Sequence, residues 1–197
     1  DSLRDYGAHL FDAGGLAQEM PELIECVTTN KTDFFREPSH FDFMRDRAVQ
    51  ELGKWQGSAL PSLKVWSAAA STGAEAYTAA MVLQDLVDRG RIRRFAVLGT
   101  DISVEVLGEA QRAIYPREFV EPVPADLRRR FLMSSRDPAS ATVRIVPELR
   151  GRVAFHQLNL MDAAYPYDCD VDIILCRNVL IYFDKQVQRG VVTRLCG

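Results

Sequence analysis

The chain has 197 residues, of which 47% are hydrophobic and 26% are charged, so it is long enough to bury a globular core. Its formal net charge of −3 at neutral pH gives no indication of nucleic-acid binding. The sequence contains no long apolar run and no signal-peptide pattern, so we expect a cytoplasmic protein without membrane insertion.

The N-terminal region is predicted to contain short helical pieces. Residues 1–27 carry such pieces, interrupted by glycines and a proline, and are too short to form a core alone. They either cap another domain or are the remnant of a longer helical one. Residues 28–36, TTNKTDFFR, follow as a polar segment in which Thr28 or Asn30 could open a helix. A further amphipathic helix is predicted over residues 41–53.

The most informative stretch is residues 65–81, VWSAAASTGAEAYTAAM, a buried strand that passes through a turn of small residues into a helix. No side chain in the turn is large enough to keep a ligand from the backbone, so Ser71 and Gly73 are candidate ligand contacts. Such turns bind nucleotides at the carboxyl ends of parallel strands. Because the G-x-G-x-x-G fingerprint is absent, a dinucleotide dehydrogenase is not supported. An ordinary strand-to-helix connection is the alternative.

A second apolar strand over residues 95–100 ends in Asp101. A carboxylate in this position accepts the two ribose hydroxyls of a bound nucleoside in open α/β sheets. Asp101 could instead cap the helix predicted over residues 103–113, and the two roles are compatible.

Two later strands also end in polar residues. The strand around residues 153–158 is followed by Asn159, and the strand over residues 171–175 is followed by Arg177 and Asn178. Polar groups at successive strand ends fall on the ligand side of a parallel sheet. The cysteines lack C-x-x-C spacing and the histidines stand alone, so we expect no metal site.

Residues 131–157 differ in character, with three short candidate strands over 131–134, 142–146 and 151–157. Their closeness rules out parallel crossovers between them, since these need a dozen residues or more. We therefore predict a small antiparallel β-subdomain inserted in a parallel α/β domain.

The segments TTNKTDFFRE, VWSAAASTGAEAYTAAM, LGTDIS, QLNLMD and CRNVLIYFDK resemble, in this order and spacing, the CheR-type chemotaxis receptor methyltransferases. These are S-adenosylmethionine-dependent protein-glutamate O-methyltransferases. The resemblance begins at about residue 22 and implies a Rossmann-like α/β methyltransferase core over residues 28–197, which includes the antiparallel β-subdomain at 131–157. It also implies that residues 1–27 are the remnant of an N-terminal helical domain, with the family pattern truncated at both ends.

The resemblance further implies S-adenosylmethionine as cofactor, S-adenosylhomocysteine as product, and no metal. The family's cofactor contacts fall on Asn30, Thr32, Arg36, Glu75, Asp101, Asn159, Leu160, Arg177 and Asn178. Within this set Glu75 suits the methionine ammonium, Asp101 the ribose, and Asn159 with Leu160 the adenine.

We hypothesise that Arg36 and Tyr182 are catalytic residues that orient the incoming carboxylate. The alternatives are a surface salt bridge with Glu37 or Asp33 for Arg36, and a packed core aromatic for Tyr182.

The partners implied by the resemblance are methyl-accepting chemotaxis receptors. In some members of the family the β-subdomain also takes up a receptor C-terminal peptide by strand addition. The sequence between Met133 and Val143 lacks the glycine-rich pattern associated with such binding. Whether this chain binds a receptor C-terminal peptide therefore stays open. Two other functions stay open as well: a methyltransferase with a different acceptor, and a non-catalytic module that binds cofactor or receptor.

Overall fold

The structure, a computed structural model, describes residues 2–11, 15–27, 31–57, 60–137, 139–166 and 170–197. The N-terminal region forms helices α1 (Leu3–Phe11) and α2 (Leu16–Val27). The helix predicted over residues 41–53 is a longer helical stretch that consists of α3 (Pro38–Phe43), a π-helical turn (Met44–Ala48) and α4 (Val49–Trp55). None of the described helices is long and apolar enough to cross a membrane.

The central sheet consists of parallel strands that come from widely separated parts of the sequence. They are β1 (Ser62–Ala68), β2 (Arg94–Asp101), β6 (Val153–Gln157) and β7 (Ile173–Leu175). In the described part of the chain their order is β6-β2-β1-β7. The chain moves outward from β1 to β2 and β6 and then returns to the other side of β1 to form β7. The strand order therefore reverses between β1 and β7, and open α/β sheets bind ligands beyond the carboxyl ends of the strands at such a point.

Helices cover both faces of this sheet. They include α5 (Ala74–Asp88), α6 (Val104–Arg112) and α9 (Lys185–Cys196). Successive side chains of β1 point to opposite faces, so Val65 packs in the cluster that contains α5 and α6, whereas Trp66 packs with Val191 and Leu195 of α9. The near-continuous burial of β1 agrees with a parallel strand covered on both faces.

The smaller sheet is antiparallel, as predicted, but one of the three strands predicted for it belongs to the central sheet. It is formed by β3 (Ile114–Pro116), β4 (Leu132–Ser134) and β5 (Thr142–Ile145), in the order β3-β5-β4. Residues 151–157 were predicted as its third strand, and residues 153–158 also as a strand of the parallel sheet. The second prediction is confirmed, because Val153–Gln157 pairs in parallel with β2 in the central sheet. The third strand is instead Ile114–Pro116, where Pro116 is tolerated because it lies on an edge strand.

An ion-pair network joins the antiparallel sheet to helix α5. It starts from helix α7 (Ala125–Phe131), which leads directly into β4. Arg130 donates to Asp85 at 2.6 Å and to Asp88, and Arg89 donates to the same Asp85 carboxylate at 2.6 Å. The Asp85 side chain is only 12% exposed, so its two arginine partners compensate a largely buried charge.

A second connection runs from β3 to the turn that precedes α5. The Tyr115 hydroxyl donates to the backbone carbonyl of Thr72 at 2.7 Å. The Tyr115 ring packs edge-on against Phe34, with ring centroids 5.0 Å apart, and stacks on Phe119. Short elements complete the described chain: a 3₁₀ turn (Glu118–Val120), α8 (Pro147–Arg150) and a second 3₁₀ turn (Leu180–Tyr182).

Candidate active site

A cavity of about 540 Å³ lies beyond the carboxyl ends of β1, β2, β6 and β7. This volume is within the range of small-molecule sites. The residues that line it are Lys31, Thr32, Asp33, Arg36, Ala69, Ser71, Glu75, Asp101, Ile102, Leu158, Asn159, Leu160, Met161, Arg177, Asn178, Val179, Tyr182 and Phe183. The predicted site residues are all in this lining, except Asn30 and Gly73.

Asn30 lies outside the described residues. Gly73 lies behind the turn and has a packing role in the structure. It precedes α5 with φ of +86°, and a Cβ atom added there would lie 2.8 Å from the Ala110 Cβ and 3.0 Å from the Phe155 Cζ. A glycine is therefore needed both for the left-handed backbone and for the close approach of α6 and β6.

The β1–α5 turn is held in place by Asp101. One Asp101 carboxylate oxygen accepts a hydrogen bond from the Ser71 N–H at 2.8 Å, and the other accepts from the Ser103 N–H at 3.1 Å. The cap of α6 is Ser103, whose hydroxyl accepts from the Val106 N–H, so Asp101 is not the capping residue. Asp101 is 7% exposed and lines the cavity, so its carboxylate is part of the surface that a ligand would meet.

Glu75, in the first turn of α5, places a largely buried carboxylate in the cavity wall. Its side chain is 13% exposed. It accepts hydrogen bonds from the Ser67 hydroxyl at 2.7 Å and from the Arg177 guanidinium at 3.2 Å. Burial raises the pKa of Glu75, although Ser67 and Arg177 act in the opposite direction. A positively charged ligand group beside this carboxylate would relieve the cost of its burial.

The segment after β6 forms another wall of the cavity. The Leu158 N–H donates to the Asp101 carbonyl at 2.9 Å, which continues the pairing of β6 with β2. Asn159 then turns the chain, because its side-chain oxygen accepts from the Met161 N–H at 2.9 Å. The Leu160 carbonyl accepts from Tyr165 and Arg194, so this wall is anchored to α9 as well. Its two buried leucines, Leu158 and Leu160, make part of this wall apolar.

Arg36 and Tyr182 approach the cavity from two different segments. Arg36 donates a guanidinium hydrogen bond to the Lys31 carbonyl at 3.1 Å, which holds the residues 31–36 in a compact turn. Tyr182 ends the 3₁₀ turn after β7 and is 63% exposed, so it is not the packed core aromatic considered as an alternative. Both side chains line the cavity and can reach a molecule that enters from solvent.

Sequence reasoning missed part of the lining and one residue behind it. The additional lining residues are Lys31, Asp33, Ala69, Ile102, Leu158, Met161, Val179 and Phe183. Most of these lie directly beside predicted site residues in the sequence, within the segments that carry the family resemblance. Their proximity to predicted residues was the signal that could have identified them. Glu37 was considered only as a partner of Arg36, but it accepts hydrogen bonds from Arg177 at 3.1 Å and from Asn178 at 3.3 Å. Within the described ranges, no group of three or more His, Cys, Asp or Glu side chains is arranged to hold a metal ion.

Comparison with known proteins identifies a family for this chain. Residues 30–197 match the family described as CheR methyltransferase, SAM binding domain. Chemotaxis protein methyltransferase 2 of Pseudomonas aeruginosa is 37% identical over 194 residues, which is 98% of this chain and 66% of that protein. The chemotaxis protein methyltransferase of Borreliella burgdorferi is 36% identical over 178 residues, which is 89% of this chain and 62% of that protein. The chain therefore spans less than two thirds of the length of these relatives.

Matches among solved structures include two methyltransferases. The magnesium protoporphyrin IX methyltransferase of Synechocystis PCC 6803, solved with bound SAM, gives a TM-score of 0.36 at 17% identity and covers 95% of this chain and 66% of that chain. A glycopeptide N-methyltransferase complexed with sinefungin gives a TM-score of 0.37 at 17% identity, over 76% of this chain and 43% of that chain.

Proposed function

The chain belongs to the CheR methyltransferase family, and on that premise we propose that it transfers methyl groups from S-adenosylmethionine to glutamate side chains of chemotaxis receptors. The products are glutamyl methyl esters and S-adenosylhomocysteine. The observation that carries the proposal is the cavity, because it gathers residues from distant segments that the sequence predicted as one site. The cytoplasmic location and the boundary at residue 27 stay predictions of the sequence.

The described residues fit S-adenosylmethionine by their chemistry. Glu75 offers a buried carboxylate to the ammonium of the methionine part, and Asp101 offers carboxylate oxygens to the ribose hydroxyls. Asn159 and Leu160 provide a polar group and an apolar wall for the adenine. When bound, the cofactor supplies an electrophilic methyl group on a sulfonium centre.

The proposed acceptor needs little activation by the protein. A glutamate carboxylate has an ordinary pKa of about 4.3 and is already anionic at neutral pH, so no general base is required. The residues of this chain have to place the carboxylate, exclude water and hold the cofactor. Such orientation can contribute roughly 7 to 11 kcal/mol to lowering a barrier.

Arg36 and Tyr182 are the proposed catalytic residues that place the acceptor. The Arg36 guanidinium supplies a positive charge to an incoming carboxylate, and the hydrogen bond to the Lys31 carbonyl limits its freedom. Tyr182 supplies a hydroxyl donor at the exposed side of the cavity. The two groups lie on segments that are separated in the sequence but line the same cavity. A correctly seated acceptor therefore contacts both.

The antiparallel sheet is the proposed second contact with the receptor. Strand β4 lies at an edge of that sheet, where an extended peptide can add as a further strand. A synthetic peptide with a receptor C-terminal sequence tests this part separately, by its binding to the chain in the absence of cofactor.

The test of the proposed function has two stages. Calorimetric titration with S-adenosylhomocysteine should show one site, and absence of binding would refute the cofactor assignment. Incubation with radiolabelled S-adenosylmethionine and a receptor cytoplasmic fragment should then give label that mild base releases as methanol, the signature of a methyl ester. Base-stable label would indicate a different acceptor, and cofactor binding without any label would indicate a non-catalytic module.

A further inference from the structure

Arg177 is held between two carboxylates that come from different parts of the chain. It follows β7, and its side chain is only 10% exposed. One terminal nitrogen donates to Glu75 at 3.2 Å, and the other donates to Glu37 at 3.1 Å and to the Arg36 carbonyl. The guanidinium also lies over the Phe41 ring, 5.2 Å from its centroid. Its position is therefore fixed along its edges and on one face.

The buried surroundings of the Arg177 guanidinium mean that both Glu37 and Glu75 are needed to stabilise its charge. The Arg177 Nε atom is buried and has no hydrogen-bond partner among the described residues. A buried cation that is incompletely hydrogen-bonded needs compensating negative charge nearby. Loss of one carboxylate would therefore draw the guanidinium toward the other.

The backbone conformation and the side-chain contacts of Glu37 both favour its pairing with Arg177. Its backbone has φ of +54°, a left-handed conformation that is unusual for glutamate and points to a local constraint. Its carboxylate accepts from both Arg177 and Asn178, and it lies 3.4 Å from the His40 Nδ1. Hydrogen bonds from Arg177 and Asn178 lower the pKa of Glu37, which keeps it ionised at neutral pH. Glu37 does not itself line the cavity.

The charges of this group decide what Glu75 can offer a ligand. Arg177 and Glu75 alone would form a neutral pair, and a neutral pair has little attraction for an ammonium. With Glu37 present, one guanidinium is shared between two carboxylates, and the group keeps one net negative charge beside the cavity. Glu75 lines the cavity and Glu37 does not, so a ligand in the cavity meets the net negative charge of the group at Glu75.

We propose that Glu37 is a positioning residue that shares Arg177 with Glu75 and so leaves Glu75 available to bind the ammonium of the methyl donor. The inference rests on the proposed function, since it assumes that an amino-acid-bearing nucleoside occupies the cavity. It assigns to Glu37 a role in cofactor affinity although this residue makes no contact with the cofactor.

The experiment compares two ligands on four forms of the chain. S-adenosylhomocysteine carries the ammonium, and 5′-methylthioadenosine shares its adenosine and thioether but lacks the amino-acid part. Both are titrated calorimetrically into the wild-type chain and into Glu37→Gln, Glu37→Asp and Glu51→Gln. The last variant is the matched control, because Glu51 is a similarly exposed carboxylate that pairs with Lys54 on α4, away from the cavity.

We expect Glu37→Gln to weaken S-adenosylhomocysteine binding by about fivefold, as for loss of a partly exposed charge interaction, and to leave 5′-methylthioadenosine binding unchanged. Glu37→Asp should recover part of the loss, since aspartate keeps the charge and tolerates the left-handed backbone. Glu51→Gln should bind both ligands as the wild type does.

Two results would overturn the inference. Unchanged affinity of Glu37→Gln for S-adenosylhomocysteine would show that Glu75 does not depend on Glu37. An equal loss for both ligands would show that Glu37 supports the shape of the cavity and has no specific effect on the ammonium. Failure of the wild-type chain to bind S-adenosylhomocysteine would refute the proposed function itself, so the two failures are distinguishable.

Discussion

Replacement of Gly73 by alanine tests how closely the β1–α5 turn is packed. The added Cβ would lie 2.8 Å from the Ala110 Cβ, 3.3 Å from the Ala110 Cα and 3.0 Å from the Phe155 Cζ. The Phe155 ring can turn aside, but the Ala110 backbone belongs to helix α6 and cannot. Left-handed backbone costs an alanine roughly 1–2 kcal/mol, and overpacking of a core costs roughly 1–3 kcal/mol. We therefore expect Gly73→Ala to lower the free energy of unfolding by about 2–5 kcal/mol.

Gly90→Ala is the matched control for this prediction. Gly90 has φ of +65°, and an added Cβ there would have no heavy atom within 4 Å. It therefore measures the backbone cost alone, roughly 1–2 kcal/mol. Urea denaturation followed by circular dichroism gives both free energies, and their difference isolates the steric contact with α6. If the two variants lose equal stability, the packing role of Gly73 is wrong.

Three further predictions concern the site and its support. Arg36→Ala should abolish methyl transfer while the circular dichroism spectrum stays unchanged, and near-normal turnover would contradict its role. Asp101→Ala should weaken S-adenosylhomocysteine binding at least tenfold, since ligand hydroxyls lose a charged acceptor, and unchanged affinity would place the ribose elsewhere. Burial raises the pKa of Asp85, but hydrogen bonds from Arg130 and Arg89 outweigh it, so that the pKa is lowered overall. The ionised Asp85 therefore stabilises the fold above its unfolded pKa of about 3.9, and this contribution is lost as the pH falls through the folded value. Asp85→Asn should lower the free energy of unfolding by about 2 kcal/mol at pH 7 and by less at pH 3, and equal losses at both pH values would argue against the ion pairs.

The sequence was sufficient for those parts of the site that follow from local pattern. The small-residue turn and the polar residues after each strand predicted one edge of a parallel sheet, and the structure brings Ser71, Asp101, Asn159 and Arg177 to one cavity there. The prediction succeeded because parallel strands deliver their carboxyl ends to the same side, whatever the distance between them in the sequence.

The pairing between distant segments could not be predicted from local sequence patterns. Residues 153–157 were predicted in both sheets because their apolar pattern fits either partner, and β2, with which they pair, lies some fifty residues earlier. Ile114–Pro116 was not predicted as a strand, since it is only three residues long and contains a proline, which an edge strand tolerates. The partner of Glu37 likewise could not be read from its neighbours, because Arg177 is 140 residues away.

The hydrogen bond from Tyr115 to the Thr72 carbonyl bears on how the antiparallel sheet can be exchanged between related proteins. A chimera that imports residues 114–146 from a relative also imports the residue that supports the β1–α5 turn, together with the ring that packs on Phe34. Exchange with a module that has phenylalanine at position 115 would remove the hydroxyl from the turn while keeping the ring. A substitution within the antiparallel sheet can therefore reach the turn next to the cavity, so the sheet and the turn are structurally coupled.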